Sequence, residues 1–358
     1  MFNVDSNAKV YIVSPYHNTG GPKSLHQLAD ILVEKGIDTY LIYYWNGKFT
    51  GETDILFSFC RAKVATDIID NENNILITSE SQCEILNGFS NIQRCIWWLS
   101  LDYYLTSSLL GSARNSIVRK KLPKILTPLM LIKYIINNPR CLIEQKSLNK
   151  RKLKYYKHLY NCEYEKNFLE KQNVSVDNMV YLCGPLEEKF YKIDFSDVVP
   201  YKKDIVAYNP AKMDMEFFEK VKEKVLLINN NIKFVAIQNM SRDQVYNTLK
   251  SAKVYIDFGY FPGPERMPRE AVALYCNIIT STEGSSGNDV DVLVPSKFKF
   301  NIRDEKNVDH VADLINDMTI NYHDYVKYGG KYRQKVWNQI VNFSKRISEI
   351  FEVVNETQ

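Results

Sequence analysis

The segment KVYIDFGYFPGPERMPREAVALYCNIIT, residues 253–280, carries an aromatic and β-branched run into a glycine- and proline-rich turn. The turn contains Gly263 and leaves through Glu265, Arg266, Arg269 and Glu270 toward an apolar-faced stretch. A strand that enters such a turn and emerges as a helix leaves backbone N–H groups free at the helix start. The helix dipole makes that spot favourable for an anion. Arg266 and Arg269 add guanidinium forks of the kind that suit a diphosphate. Glu270, one turn into the helix, can accept two hydrogen bonds from ribose hydroxyls. A plainer reading is that Glu265 and Glu270 complement the dipole while the arginines pair with them at the surface. The placement between two strands favours the anion pocket.

Two more loops have the composition of ligand-facing turns. His17-Asn18-Thr19-Gly20-Gly21-Pro22-Lys23 follows the run KVYIVS, and Gly20 and Gly21 together exceed what a simple turn needs. Tyr208-Asn209-Pro210-Ala211-Lys212 follows DIVAY. A third loop, 283–289, is read as a flexible connector more readily than as a lid.

The elements that must position these loops follow an α/β rhythm. Strands are expected at 9–14, 39–44, 54–59, 74–78, 94–99, 157–161 and 179–183. Helices are expected at 24–35, 79–89 and 162–172, the first stopped by Gly36. A second series has strands at 204–208, 233–237, 253–258 and 277–280. Its helices are at 214–227, 241–251 (capped by Ser241), 265–275, 308–322 and 324–352. Pro185 and Pro200 bracket the change-over, so the domains are expected at 1–190 and 191–358, with an insertion at 102–154.

The 253–280 segment resembles the donor-binding segment of retaining GT-B glycosyltransferases of the family 4 type, in which a helix opens with P-x-E-A, here Pro268 to Ala271. The resemblance is sharp there and pattern-level elsewhere. It implies an α/β GT-B protein, with two Rossmann-like domains facing a central cleft and a C-terminal helix packing back. It implies a hexosyl-type transfer from a UDP- or GDP-linked sugar to a glycan or lipid-linked acceptor, in surface polysaccharide synthesis. Glu270 would then hold the ribose, and Lys212, with Asn209 where the family has an arginine, would approach the diphosphate. Gly20 and Gly21 would face donor phosphate and acceptor. The family's second glutamate, eight residues before Glu270, is replaced by Pro262, so Glu265 is the candidate to stand in near the sugar. Retaining chemistry needs no protein base; inverting chemistry would make His17 the candidate. No metal or other cofactor is expected, and Asp289-Val290-Asp291 is a DxD by letters only.

Composition agrees with a globular enzyme: 45% hydrophobic residues supply two cores. A net charge of +4 is too mild for a nucleic-acid binder. The charge is unevenly spread, with twelve lysines and arginines against the single acid Glu144 in 112–154, a local net of +11. Interleaved aliphatics make that segment a candidate for an anionic membrane surface, a solvated basic face, or a site for an anionic acceptor. Trp97 and Trp98 either border an acceptor cleft or sit buried in a strand. Seven irregularly spaced cysteines read as reduced thiols. No signal peptide or membrane span is expected, so the chain is placed in the cytoplasm, with peripheral contact at the inner membrane face. A dehydrogenase is excluded because NTGGPKS does not supply GxGxxG. A nucleotide-sugar epimerase and a non-catalytic nucleotide- or glycan-binding protein stay open.

Overall fold

The computed structural model describes residues 1–353 apart from Asn46, Lys120, Lys121, 138–147 and Lys212. It divides into two compact units. One comprises Met1–Asn161, Glu165–Leu182 and the chain from Ser344 onward; the other comprises Cys162–Tyr164 and Cys183–Phe343.

In the first unit the central strand Lys9–Ser14 pairs in parallel with Asp38–Trp45 on one side and Ile75–Ser79 on the other. Gln93–Trp98, Lys157–Tyr160 and Met179–Tyr181 extend the sheet in parallel. Val10, Ile12, Val13, Leu41, Ile42, Ile75, Leu76 and Ile77 are fully buried. Their unbroken apolar runs are what a sheet covered on both faces requires. Helix Gly20–Glu34 packs on this sheet through Leu25, Leu28, Ala29 and Leu32. The chain end also belongs here: Phe351–Val353 pairs in parallel with Phe2–Val4, and Phe2 stacks on Phe351 at 5.1 Å between centroids.

The second unit has a five-stranded parallel sheet in the order Lys233–Ala236, Lys203–Tyr208, Ala252–Asp257, Asn277–Ser281, Lys299–Phe300. Helices Met215–Ile228 and Asn307–Ile320 pack together and bury Phe217, Phe218, Val221, Val225, Val311, Ile315 and Met318. Helix Arg242–Ser251 starts with a complete capping box between Ser241 and Gln244.

Several expectations change. Residues 54–59 form no strand, because Lys63–Val64 and the hairpin strand Lys48–Phe49 pair with Asp38–Trp45 there. Phe57 instead packs edge-on against His26 at 4.8 Å. Only Cys83–Gly88 of 79–89 is helical, and as a 3-10 turn. The units part at Leu182/Cys183, ahead of the expected change at 190/191, and the chain from Ser344 joins the first unit because its last strand pairs there.

Candidate functional site

Both sheets have a switch point, where the strand order reverses. In the second unit it lies between Lys203–Tyr208 and Ala252–Asp257, since connections from the former run one way and those from the latter run the other. Loops at the carboxyl ends of such strands diverge and leave room for a ligand. Here they are 209–214 and 258–265, tied by a bridge between Met213 and Gly259 and by Asp214 N–H donating to the Phe258 carbonyl at 3.1 Å.

The 258–265 loop is also fastened from its other side. Phe261 N–H donates to the Glu283 carbonyl at 3.1 Å, and Ser285 N–H to the Phe261 carbonyl at 2.8 Å. Ser285 Oγ donates to the Gly263 carbonyl at 2.8 Å, and Ser281 Oγ to that of Gly259. Gly284 has φ 71° and ψ −138°, and a Cβ there would lie 2.1 Å from the Phe261 carbonyl oxygen. Ser285 and Ser286 are fully buried. The 283–289 stretch is therefore a brace for the turn and not a flexible connector. Asp291, the second acid of the DxD letters, accepts the N–H groups of Glu163 and Tyr164 at 2.8 and 2.9 Å. It starts a helix.

Helix Arg266–Ala273 leaves this turn with Glu265 at its N-cap and Pro268 in its first turn, where a missing N–H costs nothing. Glu270 is fully buried. Its Oε1 accepts from Arg266 Nε at 2.8 Å and from Arg242 Nη2 at 2.5 Å. Arg266 Nη2 also reaches Glu187 Oε1 at 3.3 Å. The second carboxylate oxygen, Oε2, is buried with no hydrogen-bond partner. Such an oxygen costs roughly 1–3 kcal/mol if nothing meets it.

The expected residues thus fare differently. Gly263, Glu265, Arg266 and Glu270 share one turn and helix start, and the Asn209 loop lies at the same sheet edge. Asn209 Oδ1 accepts from Ala211 N–H at 3.1 Å, closing its own loop. Lys212 lies outside the described residues. Arg269 is a correction: it is 7% exposed, and its Nη1 donates to the Gly184 carbonyl at 2.9 Å and to Gln339 Oε1 at 3.3 Å. That guanidinium holds structure together instead of reaching a diphosphate. The pairing considered for Glu270 is present, since Arg266 does bind it, but not at the surface: the carboxylate is fully buried and the arginine half-buried.

In the first unit His17 is exposed, edge-on to Trp45 at 4.7 Å. Gly20 and Gly21 open the Gly20–Glu34 helix at the switch point beside Lys9–Ser14. Neither is needed for a left-handed backbone; a Cβ on Gly20 would meet nothing within 4 Å, and one on Gly21 only Leu99 Cδ1 at 3.6 Å. The helix start is buttressed by His26, whose Nδ1–H meets the Pro22 carbonyl at 2.7 Å while Nε2 faces Tyr43 Oη at 2.9 Å. Glu80, at the end of Ile75–Ser79, accepts Leu99 N–H at 2.8 Å, and burial pushes its carboxyl up to about 7. Trp97 and Trp98 are fully buried, with their N–H groups on Asn161 and the Leu182 carbonyl, and on His158.

Sequence reasoning missed Arg242 and Glu187. Arg242 had a signal: a cation in the first turn of a helix opposes the dipole, so something else must account for it.

No family model and no curated protein matches the chain. Solved structures do. Sucrose-phosphate synthase from Thermosynechococcus elongatus superposes with a TM-score of 0.61 at 10% identity, over 96% of this chain and 98% of that one. WaaG, a glycosyltransferase involved in lipopolysaccharide biosynthesis, gives 0.56 at 8% identity, over 96% and 99%. The chain has the GT-B fold. A TarM variant from S. aureus, crystallised with fondaparinux, α-GlcNAc-glycerol and UDP, gives 0.52 at 14% identity. That match covers 79% of this chain and 55% of TarM, so the GT-B chain here spans about half of TarM's length.

Proposed function

We propose that the chain transfers a sugar from a nucleoside-diphosphate sugar, UDP- or GDP-linked, to a glycan or lipid-linked acceptor in surface polysaccharide synthesis. The observation that carries this reading is the unpartnered Oε2 of Glu270 beside the switch-point loops. A buried carboxylate oxygen without a donor suits the vicinal hydroxyls of a ribose. The UDP in the TarM crystals, on the same fold, supports a nucleotide ligand.

In this reading the diphosphate lies against the N–H groups at the start of helix Arg266–Ala273, with Arg266 turned toward it. Lys212 and Asn209 are assigned to the same diphosphate. The leaving group's growing charge is met by these fixed donors, so no metal is invoked. Glu265 is assigned to the sugar, and Gly20 and Gly21 to phosphate and acceptor. With inversion, His17 takes the acceptor proton; with retention it is a bystander. The enzyme works in the cytoplasm, with the basic 112–154 segment toward an anionic membrane surface. No helix among the described residues is long and apolar enough to cross a membrane.

A second reading has two specific supports. Pro262 stands where the family has its other glutamate, and two arginines occupy Glu270 Oε1. A protein that binds nucleotide without turnover would tolerate both. The test is a panel of nucleoside diphosphates and nucleotide sugars scored by thermal stabilisation, then by donor turnover. Stabilisation with turnover supports the transferase. Stabilisation without turnover selects the binding protein, and no stabilisation by any nucleotide removes both.

A further inference from the structure

Helix Thr127–Asn137 buries none of its residues. Ile125, in the 3-10 turn just ahead of it, is 84% exposed, and Leu129, Ile132 and Ile136 are 64%, 54% and 71% exposed. Steps of four, three and four residues put these side chains on a single narrow stripe. Single exposed aliphatics are ordinary on a protein surface, but four in line are not. The opposite side of the helix, through half-buried Met130, Leu131, Tyr134 and Ile135, backs onto helix Leu109–Arg119. The helix is therefore held from behind and presents an aliphatic edge that no other described residue of this unit covers.

The surroundings of the stripe are basic. Lys124 and Lys133 are exposed beside it, as are Arg114, Lys150, Arg151, Lys152 and Lys154 elsewhere in the segment. The occupant has to satisfy aliphatic side chains and cations together. The interface of an anionic bilayer does so, with phosphates lying just above acyl chains. We infer that the Ile125–Leu129–Ile132–Ile136 stripe inserts side-on into the boundary of an anionic bilayer, with Lys124 and Lys133 at headgroup level. This rests on the membrane-facing reading of 112–154 and adds to it which side chains enter the lipid.

The experiment is co-sedimentation of the full chain with vesicles of phosphatidylglycerol and, separately, of phosphatidylcholine. Wild type is expected to bind the first and not the second, with binding weakened by salt. Leu129→Ser/Ile132→Ser/Ile136→Ser is expected to lose at least about tenfold in affinity for phosphatidylglycerol. Its circular dichroism and melting temperature should be unchanged, because the replaced side chains are exposed. Lys124→Gln/Lys133→Gln should weaken binding less and flatten its salt dependence. If the triple variant binds as wild type does, contact is by charge alone and the insertion is wrong, while the membrane-facing reading survives. Wild type binding neither vesicle sinks both. A wild-type dimer that the triple variant dissolves sinks the insertion alone, since the stripe is then a protein interface. None of these readouts involves nucleotide, so they are independent of the transferase reading.

Discussion

Arg242 Nη2 sits 2.5 Å from Glu270 Oε1, joining the first turn of one helix to the buried carboxylate of another 28 residues away. The carboxylate is fully buried while the arginine side chain is 44% exposed. A cation at the surface thus holds an interior acceptor in place and leaves its second oxygen unpaired.

Arg242→Ala is expected to weaken nucleotide binding about tenfold, the equivalent of about 1.4 kcal/mol. It should also lower stability by about 1–3 kcal/mol, because Glu270 keeps only Arg266. Glu270→Gln retains the shape but weakens acceptance of hydroxyl donors, and should reduce donor affinity at least as much. Calorimetric titration with UDP and GDP beside urea melts separates the two effects. Full affinity in both variants would remove the ribose site.

Arg269→Ala should behave differently from Arg266→Ala. It removes the buried guanidinium that donates to the Gly184 carbonyl and to Gln339 Oε1. A stability loss of about 2–4 kcal/mol is expected. Nucleotide affinity of the folded fraction should not change. Arg266→Ala, whose side chain is 27% exposed, should cost affinity more than stability. The comparison is made in melts and titrations on both variants, and a selective affinity loss in Arg269→Ala would restore it as a ligand contact.

Gly284→Ala tests whether 283–289 braces the donor turn. The backbone there is in a region used almost only by glycine, and the added methyl would meet the Phe261 carbonyl oxygen. A loss of about 1–3 kcal/mol is expected, with faster hydrogen exchange at Phe261 and Ser285. A flexible connector would show neither.

Stability should fall on the acid side through two buried histidines. Burial lowers both His26 and His158 from 6.5 to about 4, against the carbonyls that receive their N–H groups. Because the folded values are depressed, this contribution is complete above about pH 6.5 and disappears as pH falls to about 4, on the order of 3 kcal/mol for each ring. Glu80 has the opposite sign. Burial raises it from 4.5 to about 7, so its contribution is complete below about 4.5 and lost as pH rises through about 7. Glu80→Gln should therefore be more stable than wild type at pH 8 and no better at pH 4.5. Urea melts at pH 4.5, 6.5 and 8 check both signs.

The alternation of apolar runs with helical stripes was enough to read the strands around residues 9–14, 204–208, 253–258 and 277–280, and the capped helix after Ser241. These patterns are local, and burial on both faces writes them directly into residue type. The turn at 263–271 was legible for the same reason: glycine, proline and the residues after them determine a strand-turn-helix by their own backbone limits. What each charged side chain does there was not legible. Arg266 and Arg269 are three residues apart on one short helix, yet one lines the Glu270 carboxylate and the other is walled in by Gly184 and Gln339. Partners 70 and 85 residues distant make that difference, and no local pattern encodes them. The same holds for the stripe at Ile125–Ile136. The sequence by itself determined that its residues are aliphatic and set among cations. Only the tertiary structure decided that they face outward, because helix Leu109–Arg119 packs on the other side.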